Sequence, residues 1–159
     1  MRPLTYTDVG IRTGWLLTIT LLLSACNPLQ EFGGLEEQVQ AYYRAEQSGD
    51  WAQVYELRVR DFRWSVSRDY FVKAMTEDAR GWELLDYSIE SAEAQGDQVQ
   101  VTLDFRYRIT GEKPAWQQLA NTEGILEVSD TSVWLYEDGR WLCKDAGVRH
   151  HLPMNDPLD

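Results

Sequence analysis

The residue best placed for covalent chemistry in this 159-residue sequence is the first of its two cysteines. Cys26 follows an apolar run from Gly14 to Ala25, and the small residues Ser24 and Ala25 come directly before it. A helix of that length spans about 18 Å, whereas the hydrocarbon core of a bilayer is about 30 Å thick. With two arginines in the polar segment ahead of the run, the pattern predicts a cleaved signal peptide rather than a permanent transmembrane helix.

The stretch Leu23–Cys26 resembles a bacterial lipobox, and the resemblance to lipoprotein precursors covers residues 1 to 26. It implies cleavage between Ala25 and Cys26 and lipidation of Cys26 by a thioether-linked diacylglycerol, usually with a third acyl chain. Two or more chains hold a protein on a membrane far better than one. Asn27 after the cysteine implies, by the same resemblance, an outer-membrane location facing the periplasm of a Gram-negative cell. The alternative is an uncleaved secretory signal with a chance cysteine.

The remaining thiol and the two histidines do not form a recognisable reactive centre. Once Cys26 is acylated, Cys143 has no cysteine with which to form an intramolecular disulfide, and we expect it to be a half-buried strand residue. His150 and His151 are adjacent in a C-terminal tail, residues 147–159, and neighbouring histidines rarely chelate one metal without further ligands. We therefore predict no metal site, no cofactor and no catalytic thiol.

The charge balance restricts the partners that this chain can have. The sequence holds 26 acidic and 15 basic residues, which gives a formal net charge of −11. Such a domain is repelled by phosphate backbones and by anionic headgroups. We therefore expect no nucleic acid partner, and we expect the lipid alone to contact the membrane.

The spacing of apolar residues predicts three helices in the first half of the mature chain. Residues 26–34 contain Pro and Gly without periodicity and are expected to form a lipidated tether, followed by one domain over residues 35–146. The first helix begins at Leu35 and ends at Gly49, Asp50 caps the second, and Ser67 caps the third. Between the last two, residues 57–66 alternate imperfectly and predict an extended edge segment whose arginines face water.

The second half of the mature chain has the alternating pattern of β-strands. Alternation predicts strands at residues 85–90, 99–109 and 124–137, with a turn at Gly96-Asp97 and a loop over residues 111–121. Asp138-Gly139 is a hairpin signal that places Glu137 opposite Arg140 and Trp134 opposite Cys143. Helices followed by antiparallel strands indicate an α+β fold in which three helices pack on a curved sheet to form a cone.

This order resembles the nuclear transport factor 2-like (SnoaL-like) superfamily over roughly residues 35–146. The motifs that carry the resemblance are Ala41–Ala45, Ser48–Trp51, the helix around Phe71, the turn Gln95–Asp97 and Tyr136–Trp141. The resemblance implies a pocket between sheet and helices and, often, a homodimer through the outer face of the sheet. It implies no single activity, since the superfamily includes isomerases, dehydratases, hydrolases and accessory domains.

The resemblance also implies how an enzyme of this fold would work, with a carboxylate beside a tyrosine, a histidine or a second acid in the pocket. Here Asp86 and Asp104 are the candidate bases, and a tyrosine would donate to an enolate oxygen. The candidate donors are Tyr43, Tyr55 and Tyr87. Both aspartates alternate onto the polar sides of their strands, however, so the pattern predicts solvated surface acids.

Aromatic residues favour binding over catalysis. The candidate pocket comprises Tyr43, Trp51, Tyr55, Phe105 and Tyr107, although core filling is the alternative for such residues. The candidate partner face comprises Trp134, Tyr136 and Trp141. We therefore expect a non-catalytic, lipid-anchored envelope module that binds a hydrophobic small molecule or an envelope protein. The alternative is a small pocket enzyme of isomerase or dehydratase type that uses an Asp–Tyr pair.

Overall fold

The computed structural model describes residues 29, 31–111 and 114–147, with the side chains of residues 114–116 outside the description. Four helices precede the sheet in this part of the chain, and the class is α+β as predicted. The helices are α1 (Leu35–Ser48), α2 (Trp51–Glu56), α3 (Arg60–Ser65) and α4 (Arg68–Asp78), followed by a 3₁₀ turn, Ala79–Gly81. The strands are β1 (Trp82–Gln95), β2 (Gln98–Ile109), β3 (Ile125–Glu137) and β4 (Arg140–Asp145), and α5 (Pro114–Leu119) lies between β2 and β3.

The predicted helix boundaries are confirmed by their capping contacts. The Asp50 carboxylate accepts a hydrogen bond from the backbone amide of Gln53 at 3.0 Å. The Ser67 hydroxyl accepts one from the amide of Tyr70 at 3.4 Å. Gly49 ends α1 with a positive φ of 71°, a conformation that glycine adopts without a steric penalty.

The predicted extended segment over residues 57–66 is wrong for most of its length. Near its start, Arg58 forms an isolated parallel bridge with Cys143 of β4: the carbonyl of Leu57 accepts from the Cys143 amide at 2.8 Å, and the Val59 amide donates to the Cys143 carbonyl at 3.1 Å. Residues Arg60–Ser65 are helical, and Val66 after them is extended. Val59, Phe62 and Val66 follow helical spacing as well as imperfect alternation, so a short apolar run of this kind does not distinguish the two. The short helix α5 likewise lies within the predicted loop.

The four strands form one antiparallel sheet in the order β1-β2-β3-β4. Both predicted turns are confirmed, because Gln95 pairs with Gln98 and Glu137 pairs with Arg140. The predicted pairing of Trp134 with Cys143 is also confirmed. A bulge after Leu84 shifts the register of β1, so that Leu84 rather than Leu85 is buried.

The helices cover one face of this sheet and create a single core. Helix α1 contacts both outer strands, β1 and β4, while α2 packs against α1 and α4. The buried residues of β2 are the alternate ones that the pattern predicts: Val99, Val101, Leu103, Phe105 and Tyr107. The core therefore lies between α1 and the inner face of the sheet, where the predicted pocket would be.

The predicted tether is not free from Leu29 onward. Leu29 is 1% exposed and belongs to the core. Phe32 also packs against the core, so the expectation that residues 26–34 let the domain hang freely is wrong for this part. Residues 26–28 and 148–159, which include most of the predicted tail, lie outside the described residues.

Candidate functional site

The five predicted pocket residues are all buried, and four of them are brought together. The rings of Tyr43 and Phe105 are 5.2 Å apart, and Phe105 stacks on Tyr107 at 5.9 Å. Trp51 joins this group through Trp82, whose ring centroid lies 5.9 Å from Trp51 and 5.4 Å from Tyr107. Ring-to-ring contact at these distances fills the space between α1 and the sheet.

Tyr55 is separate from that group. Its ring packs on Phe71 of α4 at 5.7 Å, and its hydroxyl lies 2.9 Å from the Arg63 carbonyl and 2.8 Å from the Val66 carbonyl. It therefore ties α2 to the end of α3. Burial raises the pKa of the Tyr55 hydroxyl, which keeps this donor protonated.

The structure contains a buried carboxylate–tyrosine pair that the sequence reasoning missed. Glu46 of α1 is 3% exposed, and its Oε1 accepts a hydrogen bond from the Tyr107 hydroxyl at 3.4 Å. Asp86 and Asp104, the candidates taken from the sequence, are not buried. The missed signal is helical spacing, since Glu46 lies seven residues after Val39 and three after Tyr43, on the apolar face of α1.

A cleft of about 350 Å³ adjoins this pair at the end of α1. Trp51, Trp82 and Leu84 supply its apolar lining, and Glu46 and Thr110 supply polar groups. The Trp82 indole donates to the Asp78 carboxylate at 2.8 Å, which fixes its orientation. Glu46 lines the cleft and Tyr107 lies behind it as the donor to Glu46. A carboxylate that borders a cleft and is held by a phenol is a group that could transfer a proton at a carbonyl compound.

Arg58 is the second buried charge, and the expectation that it faces water is wrong. The residue is 5% exposed, donates to the Tyr42 hydroxyl at 3.3 Å and donates to the Lys144 carbonyl at 3.0 Å. Its guanidinium carbon lies 4.1 Å from the centroid of the Phe62 ring. Arg58 thus joins α1, α3 and β4, and we assign it a structural role.

The pKa shifts follow from this burial. Burial raises the pKa of the Tyr42 hydroxyl well above its usual value, and Cys143 raises it further, although Arg58 acts against them. For Arg58, burial lowers the pKa of the guanidinium, but the neighbouring Tyr42 and Cys143 raise it by more. Arg58 is therefore charged and Tyr42 neutral at physiological pH.

The predicted partner face needs one correction. Trp134 is fully buried, with its ring 5.7 Å from that of Tyr42 and its indole nitrogen donating to the Ser132 hydroxyl at 2.9 Å. Alternation places Trp134 on the same side as Tyr136 and Trp141, which is the inner side, and there Tyr42 of α1 packs directly on the Trp134 ring. Trp134 therefore belongs to the core and cannot contribute to an exposed face.

The other two residues of that face do reach the surface. Tyr136 is 58% exposed and Trp141 is partly exposed, and their ring centroids are 5.4 Å apart. Phe32 packs edge-on against Trp141 at 6.5 Å. We refer to Phe32, Tyr136 and Trp141 as the hairpin aromatic cluster.

A second exposed aromatic group lies near the β3–β4 turn. Trp64 of α3 is 75% exposed, and the Arg60 guanidinium lies 5.8 Å from its ring centroid. Arg60 also pairs with Asp138 at 2.7 Å, and that hydrogen bond holds the pKa of the Asp138 carboxyl below its usual value. These residues, with Asp61 and Glu137, border a depression of about 320 Å³.

The predicted lipidation site, Ala25 and Cys26, lies outside the described residues. Within the described part of the chain, no helix is both long and apolar enough to cross a membrane. Across the same residues, no three His, Cys, Asp or Glu side chains are placed to share a metal ion.

Comparison with known proteins places the fold but no closer relationship. No protein-family model matches the sequence, and no curated protein matches it. A SEC-C motif containing protein from Rhodopseudomonas palustris is similar, with a TM-score of 0.53 and 15% identity over 70% of this chain and 76% of its own. Another SEC-C motif containing protein, from Psychrobacter arcticus, has a TM-score of 0.51 and 11% identity over 70% of this chain and 58% of its own.

Other solved structures are similar at lower TM-scores. One is a hypothetical protein with a ketosteroid isomerase-like fold from Catenulispora acidiphila, with a TM-score of 0.48, 15% identity and coverage of 69% of this chain and 83% of its own. Further similar structures are described as NTF2-like proteins. The α+β fold class predicted from the sequence is confirmed by the order of helices and strands in the structure itself, and residues rather than fold must decide the function.

Proposed function

We propose that this chain is a lipid-anchored accessory domain of the bacterial cell envelope that acts by binding a protein partner. The lipobox-like stretch ending at Cys26 supports the anchor. Two observations support the binding of a protein partner: side chains fill the interior, and Trp64 and Arg60 form an exposed aromatic–cationic group on α3.

The filled interior is the observation on which the binding role depends. Tyr43, Phe105 and Tyr107 occupy the space between α1 and the sheet, with successive ring centroids 5.2 and 5.9 Å apart. A small-molecule site normally encloses most of its ligand in an apolar cavity. Here the same volume holds side chains, so recognition falls to the surface.

The best surface for a partner is the group formed by Trp64 and Arg60. Tryptophan and arginine are the residues that most often dominate the binding energy of protein interfaces. Trp64 is 75% exposed although a small domain gains nothing in stability from leaving so large a ring in water. The Arg60–Asp138 ion pair holds the guanidinium beside the ring and fixes the shape of the group.

Site-specific crosslinking in intact envelopes tests the binding role. A photoreactive residue at position 64 should crosslink to one envelope protein, and one at Leu119 should not. Leu119 is the matched control, because it is also a large apolar side chain and is 70% exposed. Trp64→Ala should abolish copurification of the crosslinked protein while the fold is retained. Equal crosslinking from both positions would contradict the proposal.

Mass spectrometry of the mature protein tests the anchor independently. We expect an N-terminal Cys26 that carries diacylglycerol, and we expect Cys26→Ala to move the protein from the detergent phase to the aqueous phase. An unmodified Cys26 in native material would contradict the lipid anchor without affecting the test at Trp64.

A second candidate function is an isomerase- or dehydratase-like activity, favoured by Glu46, which lines the cleft and accepts a hydrogen bond from the buried Tyr107. If that pair is catalytic, planar phenols that mimic an enolate should bind the cleft and change the fluorescence of Trp51 and Trp82. Tyr107→Phe should then abolish that change in a folded protein. Absence of saturable binding by the wild-type protein would leave the pair a structural one.

A further inference from the structure

The N-terminal segment of the described chain is part of the fold. Leu29 is buried in the core, its carbonyl accepts from the Phe32 amide at 3.0 Å, and the Phe32 carbonyl accepts from the Leu35 amide at 2.9 Å. These turns lead directly into α1. The segment is therefore fixed on the domain and cannot act as a flexible spacer.

The same segment is joined to the hairpin aromatic cluster. The Trp141 indole nitrogen donates to the Gly33 carbonyl at 3.1 Å, and the Phe32 ring packs on the Trp141 ring. Tyr136, the most exposed member, also packs on the Trp141 ring. The point where the chain enters the domain and the exposed aromatic rings thus share one surface.

That surface is close to the predicted site of lipidation. Cys26 precedes Leu29 by three residues, and an extended chain advances at most about 3.6 Å per residue, so their Cα atoms are within about 11 Å. The polar region of one bilayer leaflet is roughly 5–8 Å thick. Acyl chains on Cys26 that enter the hydrocarbon core would therefore bring the surface around Leu29 to the headgroups.

We propose, on the basis of the lipid anchor proposed above, that the hairpin aromatic cluster rests on the headgroups of the membrane that holds Cys26. Tyrosine and tryptophan favour this interface, since each combines an apolar ring with a polar group. The net charge of −11 disfavours a strongly anionic surface, so the lipid that fits is zwitterionic. The domain would then have one fixed orientation instead of hanging freely, and the lipid would not be the only part of the protein in contact with the membrane, contrary to what the charge balance alone predicts.

Site-directed labelling of the full, lipidated protein in phosphatidylcholine vesicles tests this orientation. A nitroxide is attached to a cysteine introduced by Glu31→Cys or Tyr136→Cys, with Thr122→Cys as the control. Glu31 is exposed and leaves the aromatic cluster intact, while Thr122 is exposed near the opposite end of the sheet. Since β2 has 12 residues, the two ends are roughly 40 Å apart. Buried Cys143 is shielded from the reagent in the folded protein.

We expect the labels at 31 and 136 to be severalfold less accessible to a water-soluble relaxation agent than the label at 122. Mass spectrometry of the same sample reports whether Cys26 is acylated. Equal water access at all three positions in an acylated protein would overturn the orientation and leave the anchor intact. An unacylated Cys26 would instead contradict the anchor on which this inference rests.

Discussion

The Arg58 guanidinium donates a hydrogen bond to the Tyr42 hydroxyl across 3.3 Å, in a part of the domain that solvent does not reach. Arg58 comes from the segment before α3 and Tyr42 from α1, while the second acceptor, the Lys144 carbonyl, belongs to β4. One buried charge therefore joins elements that are far apart in the sequence. Its removal should loosen all of them together.

We predict that Arg58→Met lowers the free energy of unfolding by about 1–3 kcal/mol, because the Tyr42 hydroxyl and the Lys144 carbonyl lose a buried donor. Urea denaturation measures the loss. Arg106→Met is the matched control, since Arg106 pairs with Glu127 in solvent and should cost less than about 1 kcal/mol. Equal losses in the two variants would contradict the structural role of Arg58.

The buried tyrosine predicts a loss of stability at alkaline pH. Burial raises the pKa of Tyr42 well above the ordinary tyrosine value of 10.0, so the folded state keeps the phenol proton where the unfolded state begins to release it. Stability from this group is therefore complete below about pH 10 and falls as the pH rises further. Tyr42→Phe should flatten that fall in denaturation curves measured between about pH 8 and 11. The exposed Tyr136→Phe is the control, and an identical slope in both variants would contradict the assignment.

Substitution of a buried tryptophan should lower the stability of the domain far more than substitution of an exposed one. Trp134→Ala should lower the free energy of unfolding by about 3–5 kcal/mol, because it leaves a cavity at a fully buried site next to Tyr42. Trp64→Ala should change stability by no more than about 0.5 kcal/mol, since the ring is exposed. Thermal denaturation of the two variants makes the comparison. A folded, stable Trp134→Ala protein would mean that this tryptophan is not in the core.

The sequence predicts the strands and turns better than it predicts which residues form a site. Alternation with a two-residue turn defines the pairing residue by residue, as at Glu137 and Arg140, because side chains change face at every residue. It does not define which strand positions a helix side chain will cover: Tyr42 of α1 packs on Trp134, which is buried, while Tyr136, two residues further along β3, is exposed.

The burial of two charged residues, Arg58 and Glu46, could not be predicted from the sequence pattern either, for a related physical reason. Charged residues are almost always solvated, so a pattern places Arg58 and Glu46 on the surface by default. Their burial depends on partners brought from distant elements, the Tyr42 hydroxyl for Arg58 and the Tyr107 hydroxyl for Glu46. Only Glu46 carried a local signal, its position on the apolar face of α1.

The β3–β4 turn should be sensitive to a single methyl group. Gly139 has a φ of 81°, and a methyl group added there would meet no atom within 4 Å. Gly139→Ala should therefore lower the free energy of unfolding by about 1–2 kcal/mol through the strained backbone conformation alone. Gly33→Ala is the matched control, because Gly33 also has open space but no positive φ. Denaturation of both variants should show a loss only at Gly139, and a neutral Gly139→Ala would contradict the turn geometry.

The packing of the N-terminal segment can be tested without the membrane. Leu29→Ala in the protein without its lipid should lower the free energy of unfolding by about 2–4 kcal/mol, because Leu29 is 1% exposed and its removal leaves a cavity in the core. Leu119→Ala removes the same atoms from a side chain that is 70% exposed and should be nearly neutral. A neutral Leu29→Ala would show that the segment is detached from the domain in solution. Chain length would then no longer fix the distance between Cys26 and the hairpin aromatic cluster, and the proposed orientation on the membrane would lose its main support.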